Sequence, residues 1–171
     1  MKFKFSISPG NTKQDQQEWF ALWNKINSKL SAKYTIVEKM LAKLLHAAPG
    51  SIFINPLNRF EEPSDVSEFA SIYKRGKFSD SGKAVRRPMR HSNCHGNVSA
   101  LYQDKKIDHI VTGFALTTDG AWREHTWGLK DGDIVETTVR RLLYFGKVLD
   151  EKEADSFAEN ARDRIDGLQE M

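Results

Sequence analysis

Two Asp-Gly dipeptides, Asp119-Gly120 and Asp131-Gly132, each stand between runs rich in β-forming residues. Asp-Gly accepts the positive backbone angles of tight hairpins, so this spacing links consecutive extended segments into an antiparallel unit. The segments are residues 108–118 (DHIVTGFALTT), 121–129 and 133–139. Residues 144–149 can add a further strand. The C-terminal half therefore reads as a β-meander, with a sheet near 108–149.

Upstream, the apolar period changes from two to about 3.6. Residues 12–30 place Trp19, Phe20, Leu22, Trp23, Ile26 and Leu30 at helical spacing. A second helix opens on the capping box Thr35-Ile36-Val37-Glu38, carries Val37, Met40, Leu41, Leu44 and Leu45, and stops at Pro49-Gly50. Residues 51–63 read as a loop around a brief extended SIFIN segment. Ser64 caps a helix to about Tyr73. Residues 2–8 (KFKFSIS) alternate as a short strand does, and Asp150-x-x-Glu153 caps a polar C-terminal helix. The expected fold is α+β in one domain, residues 1–171: N-terminal helices packed on a C-terminal antiparallel β-meander.

Composition narrows the class. Of 171 residues, 39% are hydrophobic and 29% charged, enough apolar material for a packed core and too much for a disordered chain. The single cysteine, Cys94, excludes internal disulfides and a zinc site built on several thiolates. Apolar runs are too short to span a bilayer, and residues 2–8 lack the apolar stretch of a secretory signal. No membrane association is expected, and the default location is the cytoplasm.

Three residues suggest chemistry. Cys94 precedes Gly96, Asn97 and the apolar-faced stretch 98–102, and so opens a helix near 94–104. At a helix N-terminus the orphan N–H groups and the dipole favour thiolate, and the same N–H groups can hold an oxyanion. If Asp131-Gly132 is a two-residue turn, Lys130 pairs with Asp133 and paired positions sum to 263. His125 then faces Thr138, Trp127 faces Glu136, and His125, Trp127 and Glu136 share one face. Glu136 is the diagonal neighbour of His125, about 7 Å or less at Cβ, close enough for a carboxylate–imidazole hydrogen bond. A thiol, a base and an orienting carboxylate are the parts of nucleophilic acyl transfer.

Asn93-Cys94-His95-Gly96-Asn97 before a helix, His125-Thr126-Trp127 on a strand and Glu136-Thr137-Thr138 on the next resemble the papain-like cysteine hydrolase superfamily. Its bacterial cell-wall endopeptidase and transglutaminase-like branches are the most similar in order and context. The resemblance covers about residues 88–146. It implies a papain-like fold and a cysteine peptidase or amidase, a hydrolase or acyl-transferase acting on an amide- or ester-bearing substrate. Cys94 would be the nucleophile, His125 the general base and Glu136 the orienting acid of a catalytic triad. Papain's upstream glutamine has no counterpart in RRPMRHSN (residues 86–93), so Asn93 or backbone N–H groups of Cys94 and His95 take the oxyanion role. No cofactor and no metal are expected.

Other readings stand beside this one. A lone cysteine is often a small buried hydrophobe, His125 can be a satisfied core histidine, and Glu136 a solvated strand residue. Trp127 can shield the base or pack in the core, and packing is the favoured reading. His91, Cys94, His95 and His109 invite a metal reading, but His91-x-x-Cys94-His95 is not a familiar ligand spacing. No zinc-deaminase, phosphatase, P-loop or dinucleotide signature is present. Finally, the unpatterned polar stretch 74–91 holds Lys74, Arg75, Lys77, Lys83, Arg86, Arg87 and Arg90 against the single acid Asp80. It reads as a solvated loop, or as an anion-binding flap led by Lys83, Arg86, Arg87 and Arg90. A non-enzymatic binder of an anionic partner (nucleotide, nucleic acid or acidic peptide) is the alternative function, and a third reading joins the two, with the Cys–His site acting on an anionic, phosphate-bearing ligand recognised by the basic loop. Nucleic acid is not favoured, because only Tyr73 and Phe78 interleave the charges.

Overall fold

Met40, Leu41 and Leu44, three and four residues apart, are buried on one face of helix α1 (Thr35–Ala47), as the helical period requires. The computed structural model describes residues 35–53, 63–82 and 84–166. The strand expected at 2–8, the helix at 12–30, most of the 51–63 loop and Lys83 lie outside the described residues. Gly50, at φ 84°, ends the turn after α1 and leads into β1 (Ile52–Phe53). Helix α2 (Pro63–Arg75) follows, then β2 (Lys77–Asp80), β3 (Val85–Arg86) and helix α3 (Cys94–Gln103). Strands β4 (His109–Leu116), β5 (Ala121–Lys130), β6 (Asp133–Glu136) and β7 (Leu143–Val148) precede helix α4 (Glu151–Asp166).

The class is α+β, and the sheet corrects the expected topology in three ways. Strands β4, β5 and β6 do form a meander, but β7 pairs with β4 and not with β6, giving the order β2-β7-β4-β5-β6-β3. The sheet is mixed and not antiparallel throughout, because β3 runs parallel to β6 and β1 parallel to β5. The stretch 74–91 is not all loop, since it supplies β2 and β3. Both are short edge strands with mostly exposed side chains, so neither carries an apolar alternation for a sequence reading to detect.

One link dictates the sheet's shape. Strands β2 and β3 stand at opposite ends of the order, yet only residues 81–84 join them. Six flat strands would separate those ends by about 24 Å. Five residue steps reach at most about 18 Å. The sheet must curl, which turns one of its faces into an interior.

The two faces are occupied differently. Helices α1 and α2 cover Phe114, Leu116, Trp122, Leu143 and Phe145, while α3 and α4 cover Ile110 and Val135. Alternate residues, Val111, Ala115, Trp127, Ile134 and Tyr144, pack on one another inside the curl. Trp127 is therefore a core residue, 2% exposed. Its ring lies where Gly146 has no side chain: a Cβ there would sit 2.5 Å from the indole. Across β4 and β7, a Cβ on Gly113 would sit 2.2 Å from the Phe145 carbonyl oxygen.

Local signals are realised as expected. Asp131 (φ 53°) and Gly132 (φ 85°) both take the left-handed angles of a two-residue hairpin turn. Lys130↔Asp133, Leu129↔Ile134 and Gly128↔Val135 keep the register that sums to 263. At the start of α4, the Asp150 N–H donates to Glu153 Oε2 (3.0 Å) and the Glu153 N–H to Asp150 Oδ1 (2.9 Å), a reciprocal capping box. Among the described residues no helix is long and apolar enough to cross a membrane.

Two glycine substitutions separate steric from conformational demand. Gly113→Ala forces backbone atoms apart and is expected to cost about 3 kcal/mol, the upper end of overpacking penalties. Gly132→Ala meets open space but must hold φ 85°, and is expected to cost about 1 kcal/mol. Urea unfolding midpoints check both, and equal losses would contradict the close β4–β7 approach.

Candidate active site

Cys94 is the first residue of α3, and Asn93 before it caps no N–H group with its side chain. The first-turn N–H groups of a helix have no intrahelical acceptor, so this end offers donors and positive potential next to the thiol. The chain enters the helix through Ser92, held at φ 58°, an uncommon angle for a residue with a Cβ. Asn97 locks the entry from within: its side-chain amide donates to the Arg90 carbonyl (2.8 Å) and toward Thr137 Oγ1 (3.5 Å). Helix α3 packs mainly on α4 and β5, bringing Cys94 to the strand that carries His125.

His125 and Glu136 are each 1% exposed, and His125 Nε2–H donates to Glu136 Oε2 across 2.8 Å. The β5–β6 ladder ends at Gly128↔Val135, so the expected pairs His125/Thr138 and Trp127/Glu136 are not ladder pairs. The reason is local. Beyond Glu136 the chain turns, and the Thr138 N–H and hydroxyl both donate back to Glu136 Oε1, each at 2.9 Å. Tyr144 O–H donates to Oε2 at 3.0 Å. Four donors thus fill the roughly four acceptor positions of one carboxylate. Burial acts to raise Glu136, but the hydrogen bond and charge of His125, with the Thr138 donors, outweigh it and hold the carboxyl below its ordinary value. Tyr144 is pushed upward by burial and by the Glu136 charge, so it remains a donor.

With Nε2 committed to Glu136, His125 is left with Nδ1 for the thiol. Two imidazoles act on that thiol. His95 Nδ1 lies 3.2 Å from Cys94 Sγ, and its Nε2 lies 3.7 Å from Glu124 Oε1. Burial tends to raise Cys94, and the attraction of His125 and His95 overcomes it, lowering the thiol to about 5. Burial tends to lower His95, and Cys94 with Glu124 overcomes it, raising the imidazole to about 9. His125 is raised in the same way by Cys94 and Glu136. Between about pH 5 and pH 9 the group is thus a thiolate beside imidazolium. Trp127 stacks on His125 at 6.1 Å, and Phe157 of α4 meets the His95 ring at 5.5 Å.

A cleft of about 190 Å³ opens onto Cys94 and His125. Its remaining walls are His91, Ser92, Arg123, Glu124, Thr138, Val139 and Arg141. Of the residues singled out from sequence, Cys94, His125 and Glu136 come together, with His95 against the thiol and Trp127 stacked on His125. Asn93 is beside the cleft but not among its walls. Arg86, Arg87 and Arg90 are exposed and lie outside it: Arg87 N–H bonds the Glu136 carbonyl, and Arg86 Nε bonds the Thr138 carbonyl at 3.3 Å. The cationic walls are Arg123 and Arg141, which sequence reasoning passed over, as it did Glu124 and Tyr144. Thr138 had a local signal, a hydroxyl two residues after the carboxylate. Among the described residues no group of three or more His, Cys, Asp or Glu is placed to hold a metal ion.

Comparison with protein-family models, with curated proteins and with solved structures finds no match.

Thiolate ultraviolet absorbance should titrate with a midpoint near pH 5, the thiolate persisting above it. Glu136→Gln leaves two converging donors facing an amide N–H₂, and is expected to lose about 2 kcal/mol of stability and to move the midpoint upward. An unmoved midpoint would separate Glu136 from the thiol's titration.

Proposed function

We propose that this protein is a cysteine-dependent hydrolase or acyl-transferase that cleaves an amide or ester through a thioester on Cys94. One observation carries the reading: a thiol at an uncapped helix end shares a small cleft with an imidazole that is held by a buried carboxylate with every acceptor position filled. A structural cysteine needs none of these. The chain order, nucleophile on a helix, base on a following strand and acid on the next, supports a papain-like build. It also supports the cysteine peptidase or amidase class that the resemblance implies.

The steps follow from the charges. The Cys94 thiolate attacks the carbonyl carbon, forming the C–S bond while the C=O pair moves onto oxygen. Backbone N–H groups at the start of α3 stabilise that oxyanion. As the tetrahedral intermediate collapses, the bond to the leaving nitrogen or oxygen breaks and His125 delivers its proton there. Water or another acceptor then attacks the thioester, His125 takes its proton, and the C–S bond breaks to return the thiolate. Glu136 keeps His125 in one tautomer and one orientation throughout. His95, held protonated beside the sulfur, favours the thiolate without being the proton carrier, since its ring is half-exposed and its carboxylate partner lies 3.7 Å away.

The test is acylation by p-nitrophenyl acetate, followed by p-nitrophenolate release and intact mass. One equivalent of acetyl should attach to the wild type and none to Cys94→Ala, whose circular dichroism stays native. His125→Ala should slow acylation or turnover by about 10²–10⁴. His95→Ala should slow it less. Full turnover by Cys94→Ala would end the proposal, and a larger loss in His95→Ala would transfer the base role.

A further inference from the structure

We infer that the cleft beside Cys94 recognises an oxyacid group, a carboxylate or phosphate, carried by the substrate next to its scissile bond, and that Arg141 binds it. This rests on the reading of Cys94 as nucleophile.

The charges on the cleft walls are answered unequally. Arg123 is already held, by two bonds to Asp119 at 2.9 and 2.7 Å. Glu124, the carboxylate on the walls, lies 3.7 Å from His95. Arg141 differs from both. Among the described residues no hydrogen bond or ion pair engages its guanidinium, and its Nε is buried without an acceptor. An arginine facing solvent needs no partner, but one on the wall of a small cleft is in a medium where a bound anion is attracted strongly.

The fold fixes where this residue stands. Because β7 pairs with β4, residues 137–142 must cross from β6 past the ends of β5 and β4. That crossing places Thr138, Val139 and Arg141 on the cleft walls. Its far end is anchored, with Leu142 N–H on the Leu116 carbonyl at 2.8 Å. Three residues after Arg141, the Tyr144 hydroxyl donates to Glu136. The main chain on either side of Arg141 is therefore fixed, by Thr138 on Glu136 and by Leu142 on Leu116, while the guanidinium remains available.

Chemistry and size set the ligand class. A planar guanidinium matches carboxylate or phosphate through paired N–H donors. At about 190 Å³ the cleft is smaller than the ~300–1,000 Å³ sites that enclose drug-sized ligands. It fits one residue-sized moiety: the acyl group and its acidic substituent, with the rest of the substrate outside.

The experiment compares acylation of Cys94 by p-nitrophenyl esters of butyrate, succinate and phosphonopropionate, in wild type, Arg141→Met and Arg141→Lys. In the wild type one acidic ester should react at least about tenfold faster than butyrate. The faster of the two identifies carboxylate or phosphate. Arg141→Met should bring that ratio close to one, and Arg141→Lys should recover part of it, as a charge without the fork. A wild-type ratio near one, or a ratio unchanged in Arg141→Met, overturns the inference while Cys94 acylation stands. If no ester acylates Cys94, the nucleophile reading fails and the inference falls with it.

Discussion

The buried carboxylate of Glu136 is the constraint around which this protein is organised. An isolated charge at 1% exposure would cost far more than a small domain's stability, so it persists only with its acceptor positions filled. The donors come from three places: His125 on β5, Thr138 just past β6 and Tyr144 on β7. In the strand order, β7 and β6 are separated by β4 and β5, about 14 Å in a flat sheet. Tyr144 reaches Glu136 only because the sheet curls and both side chains point inside. The covalent link between β2 and β3 and the buried polar network therefore demand the same curvature, one from outside the sheet and one from within.

What was legible in the sequence was what short-range chemistry decides. Asp131-Gly132 set the β5–β6 register because its two residues must take positive φ, and Asp150-x-x-Glu153 set the start of α4 because each member caps the other. Cys94 was placed on a helix by the polar-to-apolar change around it. Long-range pairing was not legible. β2 and β3 are edge strands whose exposed side chains carry no pattern, and their partners lie 50 or more positions away. β7 returned to β4 because Phe114 and Phe145 share a core, which no turn signal records. Tyr144 and Arg141 depended on that return, so their part of the candidate site followed from topology and not from motif.

The two imidazoles at Cys94 divide by how firmly each is held. His125 is bonded at Nε2 to a saturated carboxylate and stacked on Trp127, and Trp127 is itself seated where Gly146 has no side chain. None of these contacts can relax without opening the interior of the curl. His95 is half-exposed, with Phe157 on one side and Glu124 at 3.7 Å. A group that must return a proton to a defined position benefits from the first environment. A group that only biases the thiol toward its anion can function in the second, because Coulombic attraction tolerates movement that proton transfer does not.

That division also explains why so much of the network lies out of contact with the cleft. Glu136 is not among the cleft walls, and Tyr144 lies behind it, yet the His125 tautomer depends on both. If the carboxylate faced solvent, water would compete for its acceptor positions and weaken its bond to Nε2. The His125 ring would then be freer to turn, and Nδ1 would lose its fixed direction toward the sulfur. Enclosure by the curled sheet removes that competition, leaving Cys94, His125 and the uncapped start of α3 as the groups that the proposed reaction would present to a carbonyl. The sheet's curvature thus serves the proposed chemistry as much as the fold: it makes a buried charge tolerable, and the buried charge holds the imidazole in place.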